Sequence, residues 1–161
     1  MISDSKRSSH KGGTGILKFI LIGSLIVLIT FFIYFEPFRA EPYDPNVEID
    51  GKQVPTVQGS YCWSSLFSGR CVDMIYVNAL HMTEKSNSVI VSPNEKIHLS
   101  FEREPDTLKI VRWDTKTKSE KVSFKNEYFK APTDQGTYTY EINARWNENG
   151  SGVSAFLIQV E

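Results

Sequence analysis

Little in this sequence can hold a metal or run a reaction. It has two cysteines and three histidines. His10, His81 and His98 stand far apart and away from Cys62 and Cys71. Zinc sites need three or four such ligands brought together at defined spacing, so no metal site is expected. Ser64 and Ser65 lack a Gly-x-Ser-x-Gly setting and an evident base, which leaves no nucleophile to assign. Glu102, Glu104 and Asp106 alternate as calcium ligands can, but Arg103 interrupts them and Pro105 makes the stretch a turn. There are no internal repeats, and no segment after residue 46 carries a convincing helical stripe. Ile75 to Glu84 comes nearest, with room for one or two helical turns. No catalytic residue, cofactor or metal is assigned, and the chain is read as a non-enzyme.

Charge is absent from one long stretch. Between Phe19 and Phe35 no residue is ionisable as an acid or base at neutral pH. With Ile16 to Lys18 the apolar block covers residues 16–35, about 30 Å as a helix, which matches a bilayer core of ~30 Å. Lys18 can snorkel to headgroups at one end, and Tyr34 suits the interface at the other. A chain of 161 residues is too small to enclose a helix that is apolar on every face. Residues 16–35 are therefore expected to cross the lipid bilayer.

The overall charge of −1 is unevenly spread. Lys6, Arg7, Lys11 and Lys18 face only Asp4 before or within the start of the block. Acidic residues outnumber basic ones after it. The positive-inside rule then places the N-terminus in the cytoplasm and residues 36–161 outside the cell membrane. A cleaved signal peptide fits less well, because the block exceeds a usual h-region and Phe38-Arg39-Ala40 is a poor cleavage site. Residues 1–15, rich in Ser, Lys and Gly, have nothing to bury and are expected to be disordered. Residues 36–46, with Pro37, Pro42 and Pro45, read as a stiff stalk. Residues 47–161 remain as the folded domain. On that side of the membrane disulfides persist, and Cys62 and Cys71 are expected to form one.

In the domain the hydrophobic period is two. Tyr138, Tyr140, Ile142, Ala144 and Trp146 alternate with Thr137, Thr139, Glu141, Asn143 and Arg145, which reads as a half-buried strand. A turn at Asn147 to Gly152 leads to Val153 to Val160, with Phe156, Ile158 and Val160 on one face, completing a hairpin. Ile97, Leu99 and Phe101 alternate in the same way. Leu108 to Trp113 is apolar on both faces, as a central strand would be. Ser88 to Val91, Val122 to Phe124 and Tyr128 to Phe129 are shorter candidates, and Pro93, Pro105 and Pro132 fall between strands. Seven or so strands with regular turn signals predict an all-β antiparallel sandwich.

Asp134-Gln-Gly136-Thr-Tyr138 has the spacing of the tyrosine corner of immunoglobulin-like domains. The domain resembles those sandwiches over about 115 residues, except that Tyr140 stands where antibody domains place a cysteine. Gly59-Ser-Tyr-Cys-Trp63, Cys71 to Asp73 and Gly136 to Tyr140, following an anchor, also resemble small surface proteins of Bacillus-type bacteria. That resemblance implies an extracytoplasmic envelope protein and assigns no activity.

The cysteine-bearing loop is the candidate site. Tyr61, Trp63 and Phe67, with Arg70 and Asp73, could form an aromatic platform flanked by charge. The competing reading puts Tyr61 and Trp63 in the core and leaves Arg70 and Asp73 as an exposed pair. Lys116, Lys118, Lys121, Lys125 and Lys130 read either as a basic face or as protection of an edge strand. An acidic domain is not expected to bind nucleic acid. The expected function is a membrane-tethered binding or accessory module recognising an envelope protein or polymer. The alternatives are a disulfide-clipped loop that modulates a protease or other enzyme and, less well supported, a hydrolase.

Overall fold

The computed structural model describes residues 13–114 and 118–161. The chain forms two compact units, divided after Pro37. The first holds one helix, α1 (Gly13–Phe35). Of this, Gly15–Phe35 is long and apolar enough to cross a membrane and is not buried by protein. Its end is closed by the Glu36 amide, which donates to the Phe32 carbonyl. The predicted disordered tail lies almost wholly outside the described residues, as does Lys116.

The second unit is the predicted sandwich, with eleven strands among the described residues. One sheet contains β1 (Pro45–Ile49), β2 (Lys52–Gln53), β6 (Lys96–Phe101) and β9 (Tyr128–Lys130), in the order β2-β1-β6-β9. The other contains β3 (Val57–Ser64), β4 (Gly69–Val72), β5 (Val89–Val91), β7 (Thr107–Trp113), β8 (Ser119–Lys121), β10 (Gly136–Trp146) and β11 (Gly150–Val160). Its order is β4-β3-β11-β10-β7-β8, with β5 added alongside β11. All pairings are antiparallel except β5 with β11. The spine is the β10–β11 hairpin, paired in unbroken register from Gly136↔Val160 to Trp146↔Gly150.

Alternation explains the core. Tyr138, Tyr140, Ile142, Ala144 and Trp146 all point inward from β10, and Phe156, Ile158 and Val160 do so from β11. Ile97, Leu99 and Phe101 meet them from β6, together with Val47 and Ile49 from β1. Tyr140 stacks on Phe156 with ring centroids 4.9 Å apart. At the predicted corner the Tyr138 hydroxyl donates to the Asp134 carbonyl at 2.9 Å. One expectation fails on the outer face. Thr139 was assigned there to solvent, but it is buried beneath α2 (Ala79–Met82). Thr83 and Thr139 share a hydroxyl hydrogen bond at 3.2 Å, and Ala79 and Met82 pack against Ala155. This short helix supplies the turn allowed for in residues 75–84.

The stalk reading is corrected. Residues 38–46 belong to the domain. Tyr43 sits in the core, Pro42 is buried and lies close over Gly152 of β11, and Pro45 opens β1 opposite Phe101. Pro at the first position of a strand sacrifices no internal ladder bond, so these prolines do not hold the segment away from the sheet. The β1–β2 turn is Asp50-Gly51, with φ of 48° and 72°, the pair of left-handed residues that a two-residue hairpin favours.

Tyr140 offers a test of the core. It is completely buried, and its hydroxyl has no hydrogen-bond partner among the described residues. Burial pushes its pKa well above the ordinary value, with the Arg112 guanidinium opposing. The folded protein keeps the phenol proton, whereas unfolded tyrosine ionises near pH ~10. This group's contribution is therefore complete below that pH and is lost as pH rises beyond it. Tyr140→Phe is expected to be neutral or stabilising by up to ~1 kcal/mol at neutral pH, since it removes an unsatisfied group. It should also lose less stability than wild type in denaturant titrations above pH ~10.

Candidate functional site

The β3–β4 hairpin carries the predicted site. Cys62 and Cys71 are directly opposed in its register and are joined by a disulfide, with Cα atoms 4.0 Å apart. Both face outward and are exposed. The two-residue period then turns Tyr61 and Trp63 inward, where they are 6% and 2% exposed. Trp63 meets Trp146 edge to face at 5.2 Å and Tyr43 at 5.5 Å. Its indole N–H has no partner among the described residues. These two residues are the floor of the hairpin and not a platform on its surface, so the site reading is corrected for both.

Glu41 organises the polar side of the hairpin. The Tyr61 hydroxyl donates to Glu41 Oε1 at 3.1 Å, and Arg70 Nη1 donates to the same oxygen at 3.2 Å. Burial and this hydrogen bond raise the Tyr61 pKa, with the Arg70 charge opposing. The Arg70–Glu41 pair is more than half exposed on both sides, so its contribution is at most ~1 kcal/mol. Asp73 does not pair with Arg70 in the described contacts. Its carboxylate instead accepts from the Ser60 hydroxyl at 3.1 Å, and Ser60 Oγ accepts from the Met74 amide at 2.9 Å. Glu41 was missed because it was read as part of a stalk.

Phe67 is the predicted aromatic that stands free of the core, as do the charged candidates Arg70 and Asp73. It forms the hairpin tip with Leu66, and the two are 64% and 63% exposed. The tip is tied down on both sides. The Ser65 amide donates to the Ser68 carbonyl at 2.7 Å, and Asn149 exchanges bonds with Ser64. Gly150, at φ 140°, lies so close to the Cys62 carbonyl that a Cβ has no room there. The Phe67 ring lies 5.4 Å from that of Phe38.

A second exposed stretch follows β4. In the run Met74-Ile75-Tyr76-Val77, Ile75 is 97% and Val77 86% exposed. The run leads into Asn78, which caps α2 by accepting from the His81 amide at 3.1 Å. Tyr76 rests on the His81 ring edge to face. Val77, Asn78, Leu80, His81 and Glu84 line a shallow cavity of about 360 Å³. Three consecutive residues of high strand propensity, Ile75 to Val77, running into the Asn78 cap were the available signal for this run.

The remaining candidates are dispersed. His98 faces Glu127 at 3.2 Å, and His81 faces Glu84 at 3.9 Å. Asp106 accepts from the Asn147 amide at 2.8 Å, which makes the Glu102–Asp106 stretch a brace for the β10–β11 turn. Lys121 and Lys130 lie on β8 and β9, an edge strand of each sheet, where lysine discourages further strand pairing. No protein-family model matches the sequence, and no curated protein is significantly similar to it.

Two substitutions separate floor from tip. Trp63→Ala is expected to destabilise the protein by about 3–5 kcal/mol, the cost of emptying a buried indole site. Phe67→Ala should stay within ~0.5 kcal/mol of wild type, because the ring is exposed. Paired denaturant titrations of the two variants would check this. A cost at Phe67 equal to that at Trp63 would make the tip part of the core.

Proposed function

We propose that the protein is a single-pass membrane protein whose sandwich works as a non-enzymatic binding module on the extracytoplasmic side. The carrying observation is that a membrane-length apolar helix and a formed, solvent-exposed disulfide occur in one chain. An exposed disulfide persists in oxidising compartments, and the basic N-terminal tail favours the cytoplasmic side. The bond between Tyr138 and Asp134 supports an immunoglobulin-like kinship for the sandwich.

The recognition surface we favour is the Met74–Val77 run and the adjoining α2 cavity. Four apolar side chains offered in sequence suit a protein partner with an apolar groove better than a carbohydrate polymer, which calls for donors and acceptors. Exposed apolar residues of this kind are unusual on a surface without a partner. A second reading, in which the clipped tip modulates an envelope enzyme, is favoured by the exposure of Leu66 and Phe67. It requires the tip to face away from the bilayer, and the measurement in the next subsection decides that point.

One experiment in intact cells addresses both parts of the reading. Membrane-impermeant maleimide is expected to label Cys62 and Cys71 only after treatment with an impermeant reductant. Crosslinking in the same cells should give a discrete adduct with wild type that is lost in the Ile75→Asp/Val77→Asp variant. Labelling that requires cell lysis would overturn the location. An unchanged adduct in the folded variant would overturn the surface.

A further inference from the structure

We propose that the β3–β4 hairpin tip is a second membrane contact, with Leu66, Phe67 and Phe38 seated in the interface of the bilayer that α1 crosses. This rests on the membrane-anchor reading above and adds to it a lipid-facing end of the sandwich.

The tip has the composition for that role. Ser64-Ser65-Leu66-Phe67-Ser68-Gly69 contains no charge, and its two large side chains are among the more exposed apolar residues of the domain. Small hydroxyl residues flanking an aromatic and a leucine suit the boundary between headgroups and acyl chains. The occupant follows from covalent reach. Phe38 is three residues beyond Phe35, the last residue of α1, so their Cα atoms can be no more than about 11 Å apart. The Phe67 ring lies 5.4 Å from the Phe38 ring. Wherever α1 leaves the hydrocarbon, the tip is tethered within a few residues' length of that point.

The surroundings are consistent with a headgroup zone. Arg39 lies over the Tyr43 ring at 3.8 Å and faces Glu102 at 4.0 Å. Arg70 is paired with Glu41, and Arg103 faces Glu148 at 3.7 Å. Guanidinium groups present donors suited to lipid phosphates, each here beside an exposed carboxylate. The disulfide lies two register steps inward from the Ser64–Gly69 pair and clamps the base of the tip. A single leucine–phenylalanine pair binds lipid weakly, but a tether converts a weak contact into a frequently occupied one.

The opposite end of the sandwich supplies a control. Ile90 is also exposed and pairs with Gln159. Trp63, at the base of the tip, pairs with Gly150. Nine positions of β11 separate those partners, about 30 Å of strand.

The test uses the full chain reconstituted in phosphatidylcholine vesicles, with and without phosphatidylcholine brominated near the headgroup. Phe67→Trp, Leu66→Trp and Ile90→Trp are each compared with wild type to subtract the native tryptophans. Retention after an alkaline carbonate wash is scored on the same samples. The expected result is retention of every variant, with the added emission quenched for Phe67→Trp and Leu66→Trp and unquenched for Ile90→Trp. Retention with neither tip reporter quenched would overturn the tip contact and leave the anchor standing. Loss of the protein in the wash would overturn the anchor and the tip contact together.

Discussion

Four aromatic rings hold this domain in its shape. Trp63 comes from β3, Trp146 from β10, Phe101 from the opposite sheet and Tyr43 from the segment that brings the chain into the sandwich. Their centroids lie between 5.2 and 5.7 Å apart in adjacent pairs, mostly in the edge-to-face arrangement that aromatic quadrupoles prefer. The cluster joins both sheets, the disulfide hairpin and the N-terminal lead-in at one point. Trp146 is fixed further by donating to the Arg103 carbonyl at 2.9 Å. What the hairpin can offer to a partner is therefore limited to what rises above this floor.

Much of the architecture was legible wherever one strand face is buried and the other is not. The segments around Tyr140, Phe156 and Leu99 announce themselves by alternation, because a half-buried strand can satisfy core and solvent in no other way. The apolar block was legible for the same reason in reverse, since no soluble surface tolerates it. The alternation of Tyr61 with Trp63 carried the correct inward assignment, but an aromatic pair reads equally well as core or surface until the covering residues are known. Those covering residues, Tyr43 and Trp146, are distant in sequence.

The misread parts have specific causes. Three prolines and three acids made residues 36–46 resemble a spacer, yet Tyr43 and the alternation of Pro45, Val47 and Ile49 already marked a strand, and Asp50-Gly51 marked its turn. Thr139 was given to solvent because nothing in β10 itself shows that α2 crosses that face. The parallel pairing of β5 depends on a chain passing over the sheet, which no local pattern encodes. Glu41 went unnoticed because its importance lies in accepting from residues of two other strands, Tyr61 on β3 and Arg70 on β4.

Among the described strands β4 has a single neighbour, β3, and touches it over four residues. Such an edge would ordinarily be the first to fray. Cys62–Cys71 acts as a rivet at the middle of that short seam. Leu66 and Phe67 lie beyond one end of β4, and Ile75 and Val77 lie beyond the other. The rivet makes this strand a stiff lever between two exposed apolar surfaces. One covalent bond thus sits between the two apolar surfaces of the domain's edge, and Leu66 and Phe67 are joined through β3 to β11, the strand beside it.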